Sequence, residues 1–168
     1  MVLKRIVDEA KNGVVETYYD NGELKSRANY KNDKRDGLYE IWHPTGQQLS
    51  RANYKDSKFD GLSEEWYKNG QLKSRTNYKD DNLNELYEAW YENGQLFERE
   101  TYENGNLDGL YETWSENGKL WTRTNFKDGD LDGLHNEWDE KDNLVESTIH
   151  ENNQFKSLTE FLNENLGH

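Results

Sequence analysis

The sequence predicts an all-β repeat protein, an elongated and curved single-layer antiparallel β-meander of stacked hairpins. Three observations carry that prediction. A block recurs every 24 residues, each block centres on Asn-Gly or a near equivalent, and aromatic residues are plentiful where aliphatic ones are scarce. "GLYEIW" begins at Gly37, "GLSEEW" at Gly61, "ELYEAW" at Glu85, "GLYETW" at Gly109 and "GLHNEW" at Gly133, while "GVVETYY" at Gly13 keeps the spacing. The second half of each block keeps the same time: "NGELKSRANY" from Asn21, "NGQLKSRTNY" from Asn69, "NGQLFERETY" from Asn93 and "NGKLWTRTNF" from Asn117, with looser copies at Thr45 and Lys141. Fixed-period self-similarity marks an array whose units bury their faces on one another. Residues 1–168 are therefore expected to form one repeat domain, with six 24-residue hairpin repeats over 13–156, an N-terminal cap strand over 1–12 and a C-terminal cap over 157–168.

Composition favours a thin object. Only 32% of the 168 residues are hydrophobic and 33% are charged, yet 13% are aromatic, including six Trp and eleven Tyr. Mean hydropathy is -1.30, a value that leans toward disorder, but disordered chains are poor in rings. Large rings spread over the faces of a sheet, without a deep core, reconcile the two.

Within each copy, Asn-Gly is the strongest short-range hairpin signal, because a type I′ turn needs positive φ at both central residues. Centring a two-residue turn on Asn69-Gly70 sets Glu64 opposite Arg75. The same operation pairs Glu16 with Arg27, Glu40 with Arg51, Glu88 with Arg99 and Glu112 with Arg123. In the sixth copy the pair becomes Asn136 and Ser147, so both charges vanish together, which supports the register. That register also sets Trp114 opposite Trp121, Trp90 opposite Phe97, Trp138 opposite Val145, Trp42 opposite Leu49, and Trp66 and Tyr18 opposite Lys73 and Lys25. One aromatic per hairpin then forms a ladder.

A second turn joins the copies. Centred on Asn104-Gly105 or Asp128-Gly129, it pairs Tyr102 with Leu107 and Phe126 with Leu131; elsewhere it pairs Tyr54 with Phe59, Tyr78 with Leu83 and His150 with Phe155. Apolar meets apolar, so the meander is continuous. Together the two turns shift register by two residues per copy unless the Asp-Gly before each first strand forms a bulge. A steady stagger with right-handed twist coils the sheet into a trough. At the C-terminus, Ser157 and Glu160 make a capping-box pattern, and Leu158, Phe161, Leu162 and Leu166 share a helical face. A short capping helix is expected there, with a seventh half-repeat strand as the alternative.

Net charge is -13, unevenly spread. Residues 1–79 hold 15 Lys/Arg against 12 Asp/Glu, a balance of +3, and residues 80–168 hold 6 against 22, a balance of -16. Nucleic acid and anionic membranes are disfavoured as partners, since both require a basic footprint. The acidic half suits steering of a basic protein. "MVLKRIVDEAKNGVV" lacks the continuous apolar run of a secretory signal, which makes a cytoplasmic setting the expectation. There is no cysteine.

The glycine and aromatic before "Y-x-x-N-G", the Leu after it, and "K-D-G-x-L-D-G" resemble the bacterial variant of the MORN repeat over about Gly13 to Phe155. The resemblance implies stacked hairpins in a curved sheet. It also implies kinship with the YwqK-family antitoxins of toxin–antitoxin systems, hence a non-catalytic scaffold whose protein partner is a toxin. Glu85 for the repeat Gly, Gln48 for the Leu and Asp142 for the turn Gly depart from the pattern. The alternative function is a surface or cell-envelope module that binds carbohydrate or lipid. The tyrosine–aspartate repeats of large bacterial shell proteins are also similar, but usually shorter in period.

An enzyme is the least favoured class. His43, His135, His150 and His168 occupy unrelated repeat positions and none sits at metal-ligand spacing from another. No G-x-S-x-G, P-loop or G-x-G-x-x-G occurs, and the best-placed Glu residues have Arg partners. No catalytic residue, metal or cofactor is expected. The candidate partner-binding residues are Trp90, Trp114, Trp121 and Trp138, placed by the register on one face of the acidic half.

Overall fold

The computed structural model describes residues 10–157, so most of the expected cap strand over 1–12 and of the expected cap over 157–168 lies outside the described residues; the parts within them, 10–12 and 157, form neither strand nor helix. All regular structure in between is β. The strands are β1 (Gly13–Tyr18), β2 (Leu24–Lys31), β3 (Lys34–Trp42), β4 (Gln48–Lys55), β5 (Lys58–Trp66), β6 (Leu72–Lys79), β7 (Asn82–Trp90), β8 (Leu96–Glu103), β9 (Asn106–Trp114), β10 (Leu120–Lys127), β11 (Asp130–Trp138), β12 (Leu144–Glu151) and β13 (Gln154–Lys156). They pair in sequence order as one open antiparallel sheet.

The five expected Glu–Arg pairs face one another across their hairpins, and so do Asn136 and Ser147. The turn that produces them differs from the expected one. In the fifth copy the Ser115 N–H bonds Lys119 O at 2.9 Å and the Gly118 N–H bonds Ser115 O at 2.8 Å. Gly118 has φ +82 while Asn117 stays at negative φ. This is a three-residue loop ending in a left-handed glycine, not a type I′ turn. Leu120 therefore pairs with Trp114, and Trp121 is the extra residue of a bulge before Thr122. The longer loop and the bulge cancel, so every pair beyond them falls where a two-residue turn would put it.

The expected aromatic partners are thereby corrected in all six copies. Tyr18, Trp42, Trp66, Trp90, Trp114 and Trp138 pair with Leu24, Gln48, Leu72, Leu96, Leu120 and Leu144. Lys25, Leu49, Lys73, Phe97, Trp121 and Val145 take the bulge instead.

Type I′ geometry belongs to the joining turns. Both central residues have positive φ at Asn32-Asp33, Asp56-Ser57, Asp80-Asp81, Asn104-Gly105, Asp128-Gly129 and Asn152-Asn153. The apolar pairs expected across them are present. Beyond five of these turns the register jumps by two residues, at Asp-Gly in four and at Asn84-Glu85 between β6 and β7: Tyr30 pairs with Arg35, but Ala28 pairs with Tyr39. The bulge removes the stagger, so residues 24 apart lie in line across the sheet. At Gly109 φ is +118, and an added Cβ would approach Thr101 Cβ to 3.1 Å. Asn29, Asn53 and Asn125 close other bulges by donating from Nδ2 to the Leu38, Leu62 and Leu134 carbonyls.

This alignment joins the separate ion pairs into one row. Glu16, Arg27, Glu40, Arg51, Glu64, Arg75, Glu88, Arg99, Glu112 and Arg123 alternate in sign across β1 to β10. Glu64, only 2% exposed, accepts from Arg51 Nε at 2.5 Å and from Arg75 Nε at 2.8 Å. Arg27, Arg51 and Arg99 also lie 5.6, 5.5 and 5.7 Å from the rings of Trp42, Trp66 and Trp114. On the opposite face a second row runs Ala28, Tyr39, Ala52, Ser63, Thr76, Tyr87, Glu100, Tyr111 and Thr124. Among the described residues the buried hydrophobics are Ala28, Ala52, Ala89 and Ile149, and the largest fully buried side chain is Glu64. The accessible surface, 11533 Å², exceeds the roughly 8,700 Å² of a compact monomer of this mass. Among the described residues there is no deep core; the rows take its place.

Two stability predictions follow from this geometry. Glu64→Ala leaves two guanidinium groups without their shared acceptor and is expected to cost about 2–3 kcal/mol in chemical denaturation. Glu16→Ala, at the exposed edge of the row, is expected to cost measurably less. Gly109→Ala meets both an unfavourable φ and Thr101, whereas an added Cβ at Gly70 has open space around it. The first is expected to cost about 2 kcal/mol and the second about 1 kcal/mol. Equal melting temperatures for the two glycine variants would remove the bulge from this account.

Candidate partner-binding surface

Alternation along a strand sets Leu86, Glu88 and Trp90 on one face of β7, and the 24-residue alignment repeats that set as Leu110, Glu112 and Trp114 and as Leu134, Asn136 and Trp138. The charge row thus runs between a leucine row and a tryptophan row. Trp90, Trp114 and Trp138 are half-buried, and Trp114 is partly covered by Arg99. Leu86, Leu110 and Leu134 are 39%, 39% and 46% exposed. Sequence reasoning missed these leucines, although their spacing was visible in the same block.

Trp121 does not share that position. Its bulge directs it toward the residue that follows the preceding Trp. The equivalent Phe97 stands edge-on to Tyr91 with centroids 5.1 Å apart, and Lys25 lies 5.6 Å over Tyr19. Trp121 is 56% exposed and shares with Trp138 a cleft of about 270 Å³, also lined by Ser115, Leu120, Asp139 and Glu140. The four tryptophans therefore divide into three aligned ones and one on a bulge.

The residue after each Trp has its own task. Tyr19, Tyr67 and Tyr91 donate their hydroxyls to the carbonyls of Trp42, Trp90 and Trp114 in the next copy, at 2.7, 2.8 and 2.9 Å. The turn asparagines act in parallel. Asn69 Oδ1 accepts from the Gln71 N–H while Nδ2 donates to Glu92 O, and Asn93 repeats both contacts with Gln95 and Glu116. Asn is thus selected here for stapling neighbouring turns rather than for positive φ.

A second departure from the repeat lies in the fourth copy. Glu100 occupies the position of Ala28, Ala52, Thr76 and Thr124, between Tyr87 and Tyr111. It accepts the Tyr102 hydroxyl at 2.6 Å, and Glu98 accepts the Tyr111 hydroxyl at 3.0 Å. Burial pushes the Glu100 carboxyl above its ordinary pKa despite the Tyr102 bond. Burial and the bond to Glu98 also lift Tyr111 to about 12, and burial with the bond to Glu100 raises Tyr102 well above the phenol range. No group of three or more His, Cys, Asp or Glu among the described residues is disposed to hold a metal.

Because the folded state raises the Glu100 pKa, protonation of this group favours the fold. The benefit is full below the unfolded pKa of about 4.3 and disappears as pH rises through the folded value. Glu100→Gln is permanently neutral and can still accept from Tyr102. It is expected to melt about 1–3 °C above the wild type at pH 7 and to match it below about pH 4, by calorimetry.

The MORN repeat variant model matches five segments, residues 11–32, 35–56, 59–80, 86–104 and 107–128. The sixth hairpin, β11 with β12, lies beyond them. No curated protein matches the chain. Repeat modules of this kind commonly bind proteins or membranes, and they act as scaffolds. The matched segments cover more than half of the sequence, so the chain belongs to the MORN repeat variant family.

Proposed function

We propose that this chain is a non-catalytic repeat scaffold that binds a basic protein through the acidic C-terminal half of its sheet. One observation carries the reading: exposed apolar surface and negative charge coincide. Of ten exposed large hydrophobics among the described residues, eight lie after residue 80, namely Leu86, Phe97, Leu110, Trp121, Leu134, Leu144, Val145 and Phe155. The same half carries the -16 balance. Apolar patches ringed by charge suit a protein partner, and an open sheet offers a long surface rather than a pocket for chemistry. An antitoxin-like neutraliser of a basic toxin, acting in the cytoplasm, is the specific form of this proposal.

The test uses a purified basic partner, such as the product of an adjacent gene. Trp90→Ala, Trp121→Ala and Trp138→Ala, each checked for folding by circular dichroism, are expected to weaken binding by about 2 kcal/mol where the ring is an anchor. Raising salt is expected to slow association while changing dissociation little. Normal binding by all three folded variants, with a salt-independent association rate, would exclude this surface.

A further inference from the structure

Between the fifth and sixth hairpins the interlock changes. Tyr19, Tyr67 and Tyr91 each bridge to the next copy's Trp carbonyl, but the fifth copy has Ser115 at that position. Its hydroxyl turns instead to Asn117 Oδ1 and Lys119 O. The companion staple is replaced as well: Lys119 Nζ, not the asparagine amide, donates to Glu140 O. In the second copy His43 still supplies a ring at this position. In the fifth the ring is missing, and the cleft of about 270 Å³ lies between Ser115 and Trp138.

The other copies show what such a space accepts. In the fourth copy the phenol of Tyr91 packs against the bulge residue Phe97 and donates to Trp114 O. The corresponding elements in the fifth are Trp121 and the Trp138 carbonyl. Trp121 and Trp138 both line the cleft.

We propose that this cleft binds a tyrosine side chain of a protein partner, its ring against Trp121 and its hydroxyl donating to the Trp138 carbonyl. The inference rests on the reading of the acidic half as a protein-binding surface and names the chemistry one of its anchors recognises. A phenol is selected over a phenyl because a polar acceptor sits at the far end of an aromatic-lined slot. Asp139 and Glu140 in the lining outnumber its one cation, Lys119, which favours the neutral phenol over phenolate or phosphotyrosine.

The full chain would be titrated with N-acetyl-L-tyrosinamide while the indole N–H resonances of Trp121 and Trp138 are followed by NMR. Saturable shifts at both, with a millimolar dissociation constant, are expected, as is binding about fivefold weaker for N-acetyl-L-phenylalaninamide. Ser115→Tyr is expected to fill the slot from within, abolish the shifts and raise the melting temperature. Trp121→Ala, which leaves the hairpin staples intact, is expected to weaken binding at least threefold should Ser115→Tyr not fold. No saturable shift at these indoles, equal affinity for the phenyl analogue, undiminished binding by folded Ser115→Tyr, or shifts with methyl glucoside in place of the tyrosinamide would each overturn the assignment. The titration needs no protein partner. Its failure therefore leaves the broader binding reading to the tryptophan variants.

Discussion

The register lock is the constraint on which the rest of the molecule depends. A three-residue loop with a one-residue bulge closes one end of each hairpin, and a type I′ turn with a two-residue jump closes the other. Without that second jump Arg27 would face Leu38, and each copy would slide two residues past the last. With it, Arg27 faces Glu40 as well as Glu16. Only a drift-free array lets one position serve every copy in the same way. The charge row, the staples at the turns and the aligned leucines are all consequences of this cancellation.

Much of this was legible in the sequence because the copies test one another. The joint loss of charge at Asn136 and Ser147 supports the hairpin register whichever turn closes it. The Asn-Gly pairs invited a type I′ assignment, and it was wrong for a physical reason: Asn69 and Asn93 hold Oδ1 on their own loop and Nδ2 on the next. A residue favoured for positive φ is also favoured as a two-way hydrogen-bonding bracket, and sequence alone does not separate those uses. The bulge was hidden because loop and bulge errors cancel beyond Thr122. It mattered most for Trp121, whose placement with the other tryptophans depended on that one residue of register. The tyrosine staples could have been found, since Tyr19, Tyr67 and Tyr91 recur at whole multiples of the period.

Replacing a core by rows changes where burial energy is placed. A sheet with both faces open cannot sequester its rings, so each is half-covered by neighbours: Trp42 and Trp66 by Arg27 and Arg51, Tyr54 by Tyr39 and Phe59. Arginine suits this role, because its plane stacks on a ring while its edge serves a carboxylate. In the N-terminal half the side chains satisfy one another in this way. Toward the C-terminus cations become scarce, the leucines stand more exposed, and the exposed bulge residues are apolar rather than lysine. The charge gradient and the apolar gradient therefore share one origin, the thinning of the Lys and Arg stems that cover apolar surface elsewhere.

In an array of equivalent units, a specific site has to arise where equivalence fails. A perfect copy presents to solvent only what its neighbours present, and a partner on it would find several equal registers. Here four departures gather in two adjacent hairpins: Phe97 and Trp121 at the position of Lys25 and Lys73, Glu100 where the other copies have Ala or Thr, and Ser115 where the four preceding copies have a ring. None of these changes helps the interlock. Glu100 is held in an environment that disfavours its charge, and Ser115 gives up a bond that three other copies keep. Substitutions that weaken the scaffold while gathering aromatic and acidic groups at one place along the sheet are the pattern expected of a surface shaped for a partner.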